Sequence, residues 1–164
     1  MAFDTYLKID GVDGEATAKG FEKNIEIFSF SWGASAPVTV GPGTSGVSAG
    51  RVSISSFNIM KKTDSTSTLL FQAACLGTHY PTMTVNMRKS TGTGGQAAFL
   101  TYTFSEVMVE SIQWSGSNGG DDTPTESVSF AFGKVQIQYN VQGKDGKLTN
   151  GTPVLWDQTT VSNS

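Results

Sequence analysis

The sequence predicts a mainly β protein, built as a sandwich or a barrel, with one α-helix packed against it. Apolar and polar residues alternate with a period of two along most of the chain, which is the pattern of strands with one buried face. A single short segment has helical spacing instead. In two places the parity of the apolar residues reverses, and strands that bend from one sheet into another are typical of barrels and sandwiches.

The first half of the chain contains two predicted strands and one predicted bend. Residues 3–9, FDTYLKI, are predicted to place alternate side chains on one inward face: Phe3, Thr5, Leu7 and Ile9. Residues 24–32, NIEIFSFSW, carry apolar side chains at both parities, as expected of a strand covered on both faces. Apolar parity then reverses between residues 52–54 and 57–59, which predicts a bend.

The helix is predicted over about residues 65–76. An N-cap is available at Thr63, Asp64 or Ser65, and Gly77 stands where a C-cap belongs. The residues predicted to face the β body are Leu69, Ala73 and Leu76, with Leu70 and Ala74 beside them.

The second half of the chain alternates almost throughout. Strands are predicted over residues 83–87, 98–104 and 106–114, and the last long strand covers residues 128–141. In that last strand the apolar parity reverses near Gly133-Lys134. Glycine permits a β-bulge or a change of sheet, which would keep both halves of the strand against apolar surroundings.

Composition excludes several classes of partner and compartment. Charged residues are 15% of the chain, with 11 Lys and Arg against 14 Asp and Glu, so nucleic acid and anionic membranes are not expected partners. No apolar stretch approaches the ~20 residues of a membrane span, and MAFDTYLKIDGVDG lacks the basic segment and apolar run of a signal peptide, so none is expected. Cys75 is the only cysteine and is expected to act as a small hydrophobe. We expect one domain over residues 1–164, made in the cytoplasm.

Residues 34–50 form a long uncharged segment of mainly Gly, Ser, Thr, Ala and Pro. Loops longer than ~12–15 residues in a compact domain are usually functional or disordered. Residues 41–46 spell GxGxxG, but no strand-helix pair surrounds them, so a dinucleotide site is not expected. The segment is predicted to be a mobile flap or an arm that orders against a partner.

An acidic turn, with Asp121, Asp122 and Glu126, precedes the last long strand. Adjacent acids in a Gly-rich turn make a poor acid-base pair, and they lack the spacing of a calcium loop, so a structural or interface role is favoured over catalysis. His79 is the only histidine, and just past the helix it is expected to support the last helical carbonyls. We expect no catalytic residue, metal or cofactor.

Two alternatives from other classes stay open. A monomeric β-sandwich that binds glycans would use Trp114 or Trp156 as an exposed stacking platform. A hydrolase would use His79 with a nearby acid.

Four long segments, taken together, resemble the Hcp family of tube proteins from bacterial type VI secretion systems. They are FDTYLKIDGVDGEA from residue 3, IEIFSFSWGAS from residue 25, FNIMKKTDSTSTLLFQAACLGTH from residue 57 and GDDTPTESVSFAFGKVQIQY from residue 120. Together they extend over nearly the whole chain.

This resemblance implies a two-sheet β-barrel with one flanking helix and a long Gly-rich extended loop. It also implies hexameric rings that stack into a tube, driven out within a contractile sheath behind a spike protein, with small effectors held in the lumen. Export would then need no signal peptide. We expect the ring-stacking contacts at Val38, Val40, Pro42 and Val47, and contacts between neighbouring subunits at Asp121, Asp122 and Glu126.

Overall fold

The computed structural model describes residues 3–42, 46–90, 96–120 and 122–164. Its elements follow in chain order: β1 Asp4–Ile9, β2 Ile25–Ile27, β3 Ser29–Ser31, β4 Ala34–Ser35, β5 Val38–Val40, β6 Val47–Ala49, β7 Ser53–Ile54, β8 Phe57–Lys62, α1 Ser67–Leu76, β9 His79–Ser90, β10 Gln96–Ser115, β11 Thr125–Gln142, β12 Leu148–Asn150 and β13 Val154–Asp157. The mainly β class with one helix is confirmed.

The main sheet is antiparallel and closes on itself through one short segment. Its strands run in the order β2-β1-β9-β10-β11-β8-β3, and β12 and β13 also pair with β11. β2 and β3 are consecutive in the chain and are separated only by Phe28. β2 pairs with β1 and β3 pairs with β8, so the two ends of the strand order meet in residues 25–31. The Phe28 N–H donates to the Met60 carbonyl at this junction.

The junction corrects the prediction of a strand covered on both faces. Ile25 and Ile27 are buried, Phe28 is 57% exposed, and Phe30 and Trp32 pack against the core from the opposite parity. Both parities are therefore apolar because the chain changes its pairing partner at Phe28, and not because a second layer covers it. A change of pairing partner also explains the bend predicted between residues 52–54 and 57–59. There β7 pairs with β4, whereas β8 pairs with β3 and β11.

The predicted inward face of β1 is confirmed at three of its four positions. Thr5, Leu7 and Ile9 are buried, but Phe3 is 52% exposed and lies just before the strand. Tyr6 is also buried, on the other face, because the Phe21 ring stacks on it with centroids 4.9 Å apart and the Arg88 guanidinium lies 4.9 Å from its centroid.

The predicted reversal near Gly133 is confirmed. Phe132 and Val135 are both buried although their parities differ, and β11 exchanges β8 for β13 as its neighbour between them. Glu106 on β10 lies beside Gly133 with φ 56°, and a Cβ on Gly133 would come within 2.5 Å of its Oε2. Glycine is needed here for close approach. β10 itself is one strand, whereas the sequence predicted two that meet near this residue.

The helix is confirmed, but its buried stripe differs from the prediction. Ser67, Leu70 and Ala73 face the sheet, whereas Leu69 and Leu76 are 42% and 71% exposed. The segment's apolar residues cover more than one face, so period alone could not select the inward one. The C-cap is Gly77 as predicted, with φ 65° and its N–H donating to the Ala73 carbonyl.

Candidate interaction surfaces

The uncharged segment, residues 34–50, lies within a β-ribbon that projects from the body. We call residues 33–55 the arm; its one charged residue is Arg51, near the base. At its base Ala34 pairs with Ile54, and beyond it the strands β5 and β6 pair with Val38 opposite Ala49 and Val40 opposite Val47. The Gly50 N–H donates to the Pro37 carbonyl between these two pairings. The predicted extended loop is therefore a hairpin whose tip includes Pro42; residues 43–45 lie outside the described part of the chain.

The two distal strands of the arm have no buried face. Every residue of β5 and β6 is exposed, including Val38 at 57%, Val40 at 75% and Val47 at 68%. An isolated two-stranded hairpin is marginally stable in water, and exposed apolar side chains on it favour a partner surface. The arm is therefore a candidate interaction surface.

The residues of the predicted acidic turn do not share one environment in the structure. Asp122 is exposed in the loop between β10 and β11, and Asp121 lies outside the described residues. Glu126 is 1% exposed on β11, opposite Lys61 of β8 and Trp114 of β10. Its carboxylate therefore belongs to the interior, and of the three predicted acids the structure shows only Asp122 on the surface.

Lys61 and Glu126 form a buried ion pair at the start of the helix. The Lys61 Nζ contacts Glu126 Oε1 and donates to Asp64 Oδ1 at 2.9 Å, to Ser67 Oγ at 3.2 Å and to the Lys62 carbonyl at 3.0 Å. Ser67 Oγ in turn donates to Glu126 Oε1 at 2.8 Å. The network joins β8, β11 and the first residue of α1.

This ion pair was not predicted, although the sequence contains its signal. Lys61 shares the inward parity of Phe57 and Ile59, and Glu126 shares that of Val128 and Phe130. Two opposite charges at inward positions of separate strands indicate a buried pair, because an unpaired charge there would be costly.

Asp64 accepts hydrogen bonds at the N-terminus of the helix. The N-cap is Thr66 and not one of the predicted residues Thr63, Asp64 or Ser65, and its own side chain makes no cap bond. Asp64 Oδ1, two residues earlier, instead accepts hydrogen bonds from the Thr66 N–H and the Thr66 hydroxyl. Partial burial raises the pKa of Asp64, but the hydrogen bonds from Thr66 and Lys61 and the charge of Lys61 outweigh it and hold the pKa below its usual value.

Three of the clefts formed by the described residues differ in charge. One, of about 760 Å³, lies along the loop that joins β10 and β11 and includes Asp122. A second, about 520 Å³, is lined by Glu15, Glu26, Lys62 and Asp64 among others. A third, about 210 Å³, lies between α1 and the turn after β1, and its one charged lining residue is Asp10.

The residues named for other chemistries are dispersed. His79 is the first residue of β9, opposite Met108 of β10, and Cys75 is exposed on α1. Trp114 is 45% exposed and packs on Phe71 at 5.6 Å, whereas Trp156 packs against the core. Within residues 3–42, 46–90, 96–120 and 122–164, no three His, Cys, Asp or Glu side chains are grouped as a metal site. No described helix is long and apolar enough to cross a membrane.

Comparisons with known proteins agree on one family. A model of the family "Type VI secretion system effector, Hcp" matches residues 6–139. Protein hcp1 of Pseudomonas aeruginosa is 35% identical over 156 residues, which cover 95% of this chain and 94% of that protein.

Solved structures give the same result. One described as the structure of a type six secretion system protein superposes with a TM-score of 0.93 at 36% identity, covering 99% of this chain and 100% of its own. Hcp1 from Salmonella typhimurium superposes with a TM-score of 0.77 at 27% identity, with both chains fully covered.

Proposed function

The chain belongs to the Hcp family of type VI secretion proteins, and we propose that it is a tube subunit, which forms hexameric rings that stack. In this proposal the whole chain, residues 1–164, acts as one structural domain without catalysis. The tube moves out inside a contractile sheath behind a spike protein, and its lumen holds small effectors. The subunit assembles in the cytoplasm and leaves the cell as part of the tube.

The exposed arm, uncharged over residues 34–50, is the observation that supports stacking most directly. Val38, Val40 and Val47 project from a ribbon and remain exposed in the described part of the subunit. Burying them in a contact between rings removes apolar surface from water, at about 25 cal/mol per Å². Pro42, exposed near the tip, restricts the backbone and lowers the entropy lost when the arm becomes ordered.

Neighbouring subunits within a ring would meet at a different place. We assign Asp122, with Asp121 beside it in the sequence, to this contact because the loop that carries it is exposed at one end of the main sheet. Glu126 is left out of the contact, since its carboxylate is buried against Lys61. A surface carboxylate adds orientation and specificity more than affinity.

A wall with few charges also suits the transport role. Only 15% of the residues are charged, so varied effectors meet mostly neutral hydroxyl and amide groups in a lumen built from this chain. Weak and adaptable contacts of this kind permit release after export, whereas strong ion pairs would restrict the tube to one cargo.

The arm is tested by removing its apolar side chains. The triple variant Val38→Ser/Val40→Ser/Val47→Ser should still form rings but should stack far less than wild type, and deletion of residues 38–47 should do the same. Circular dichroism checks that the subunit is folded, and negative-stain images at high concentration count stacks and single rings. The matched control is Val141→Ser/Val154→Ser, which removes two valines as exposed as those of the arm.

The control should stack as wild type does. Tubes of normal length from either arm variant would refute the stacking role of the arm while leaving the family assignment intact.

A further inference from the structure

The arm needs a receiving surface, and the chain contains one of suitable chemistry. The third cleft, which we call the helix cleft, has apolar and neutral walls that include Val12, Leu69, Gln72, Ala73, Leu76 and Tyr80. Leu69 and Leu76 are the two helical leucines that the core does not use. They remain exposed although α1 has a fully buried face of its own.

The helix cleft differs from the two larger clefts in the charged residues that line it. The clefts that include Asp122 or that bring together Glu15, Glu26, Lys62 and Asp64 would have to bury charged groups against uncharged valines. Removing a charge from water without a partner is costly. The helix cleft has one charged lining residue, Asp10, and its other walls lose little solvation when valines cover them.

The arm cannot be assigned to the helix cleft of its own subunit. In the folded chain the valines of β5 and β6 are exposed, and so are Leu69 and Leu76. Both surfaces are therefore available to a second copy. Since they are different surfaces, a contact between them is head-to-tail, and such contacts repeat from one copy to the next.

We propose that the distal arm of one subunit docks into the helix cleft of a second copy of this chain, with Val40 against Leu69 and Leu76. The proposal rests on the tube function proposed above and names the surface that receives the arm. Because the arm residues 34–50 carry no charge, the contact depends on apolar burial and depends little on ionic strength.

Disulfide trapping tests the contact. In a Cys75→Ser background, which removes the only native thiol, the double variant Val40→Cys/Gln72→Cys carries one thiol on the arm and one at the rim of the helix cleft. Both positions are exposed, so the subunit should fold normally. After mild oxidation, a non-reducing gel should show a ladder of covalent oligomers, because every chain offers both halves of the contact.

Matched controls define the outcomes. Each single cysteine variant can give dimers at most, and Val154→Cys/Gln72→Cys, with an exposed valine away from the arm, should give no ladder. An equal ladder from this control would overturn the proposal, as would a bridge formed only within one chain. The same samples are imaged: tubes without a ladder overturn the docking contact alone, whereas no rings at all overturn the tube function as well.

Charge exchange gives an independent readout. Val40→Lys and Leu76→Glu should each reduce tube formation more than about tenfold, because each would bury an unpaired charge in an apolar contact. The two substitutions in one chain should restore a large part of the loss. If the combined variant assembles no better than the worse single variant, the two side chains do not meet.

Discussion

At the residue scale, the pairing of Lys61 with Glu126 holds the helix start to the sheet. Both side chains are fully removed from solvent, and Ser67 completes the contact from the first turn of α1. Glu126 Oε2 has no hydrogen-bond partner among the described residues. Lys61 is therefore the main compensation for a buried carboxylate, and its loss should be felt strongly.

Removing Lys61 should destabilise the subunit by about 3–5 kcal/mol, because Lys61→Met leaves Glu126 buried without its partner. Lys61→Met/Glu126→Leu should recover most of that free energy, since neither charge remains. Lys62→Met is the control, as Lys62 is exposed, and its effect should stay within about 0.5 kcal/mol. Urea unfolding measures all three, and equal losses for Lys61→Met and Lys62→Met would contradict the buried pair.

Asp64 gives the subunit part of its acid sensitivity. Its pKa is lowered in the folded state, so its contribution is complete above the unfolded pKa of about 3.9 and is lost as the pH falls through the folded value. Asp64→Asn should therefore lose less unfolding free energy than wild type between about pH 5 and about pH 2. Asp122→Asn serves as the exposed control. Parallel pH profiles for wild type and Asp64→Asn would contradict the assignment.

At the element scale, α1 uses a narrower part of its surface for the core than its composition suggests. Leu70 is fully buried while Leu69, next to it, is half-exposed. The interior therefore accounts for Leu70 and Ala73, whereas Leu69 and Leu76 remain available for the proposed contact with a second copy.

Because Leu70 is buried and Leu69 is exposed, substitutions at these two neighbouring positions should differ greatly in their effect on the free energy of unfolding. Leu70→Ala should cost about 2–5 kcal/mol of unfolding free energy, because it leaves a cavity under the helix. Leu69→Ala should cost less than about 1 kcal/mol in the isolated subunit while weakening assembly. Thermal or urea unfolding gives the first comparison and electron microscopy the second. Similar stability losses for the two variants would contradict the observed helix orientation.

Local sequence patterns predicted the individual elements better than they predicted which strands pair with each other. The parity reversal at Gly133 and the C-cap at Gly77 follow from rules that involve only adjacent residues, and both are confirmed. The arm was predicted as a loop because its Gly and Pro content conceals the alternation of Val38 and Val40. Its pairing also lacks the buried face by which strands are usually recognised.

At the scale of the whole molecule, closure of the sheet could not be predicted from local pattern. It depends on a change of pairing partner at Phe28: β2, before it, pairs with β1, and β3, after it, pairs with β8. Both pairings join residues far apart in sequence. The apolar residues on either side of Phe28 indicated burial but not the change of partner. The resemblance to the Hcp family supplied the two-sheet barrel, and the structural relatives support it.

The interface residues belong to the same scale. Val38, Val40, Pro42 and Asp122 lie on the surface, where a contact with another copy requires them, whereas Glu126 is internal. Sequence could not separate Asp122 from Glu126, because the distinction depends on where β11 begins and on Lys61 from a strand some sixty residues earlier.

The mass of the purified protein in solution tests the central claim most directly. Light scattering after size exclusion, with negative-stain images of the same fraction, should give about six times the 17.4 kDa chain mass and annular particles. A measured mass of a single chain at every concentration, with no rings in the images, would contradict the account of this protein as a tube subunit.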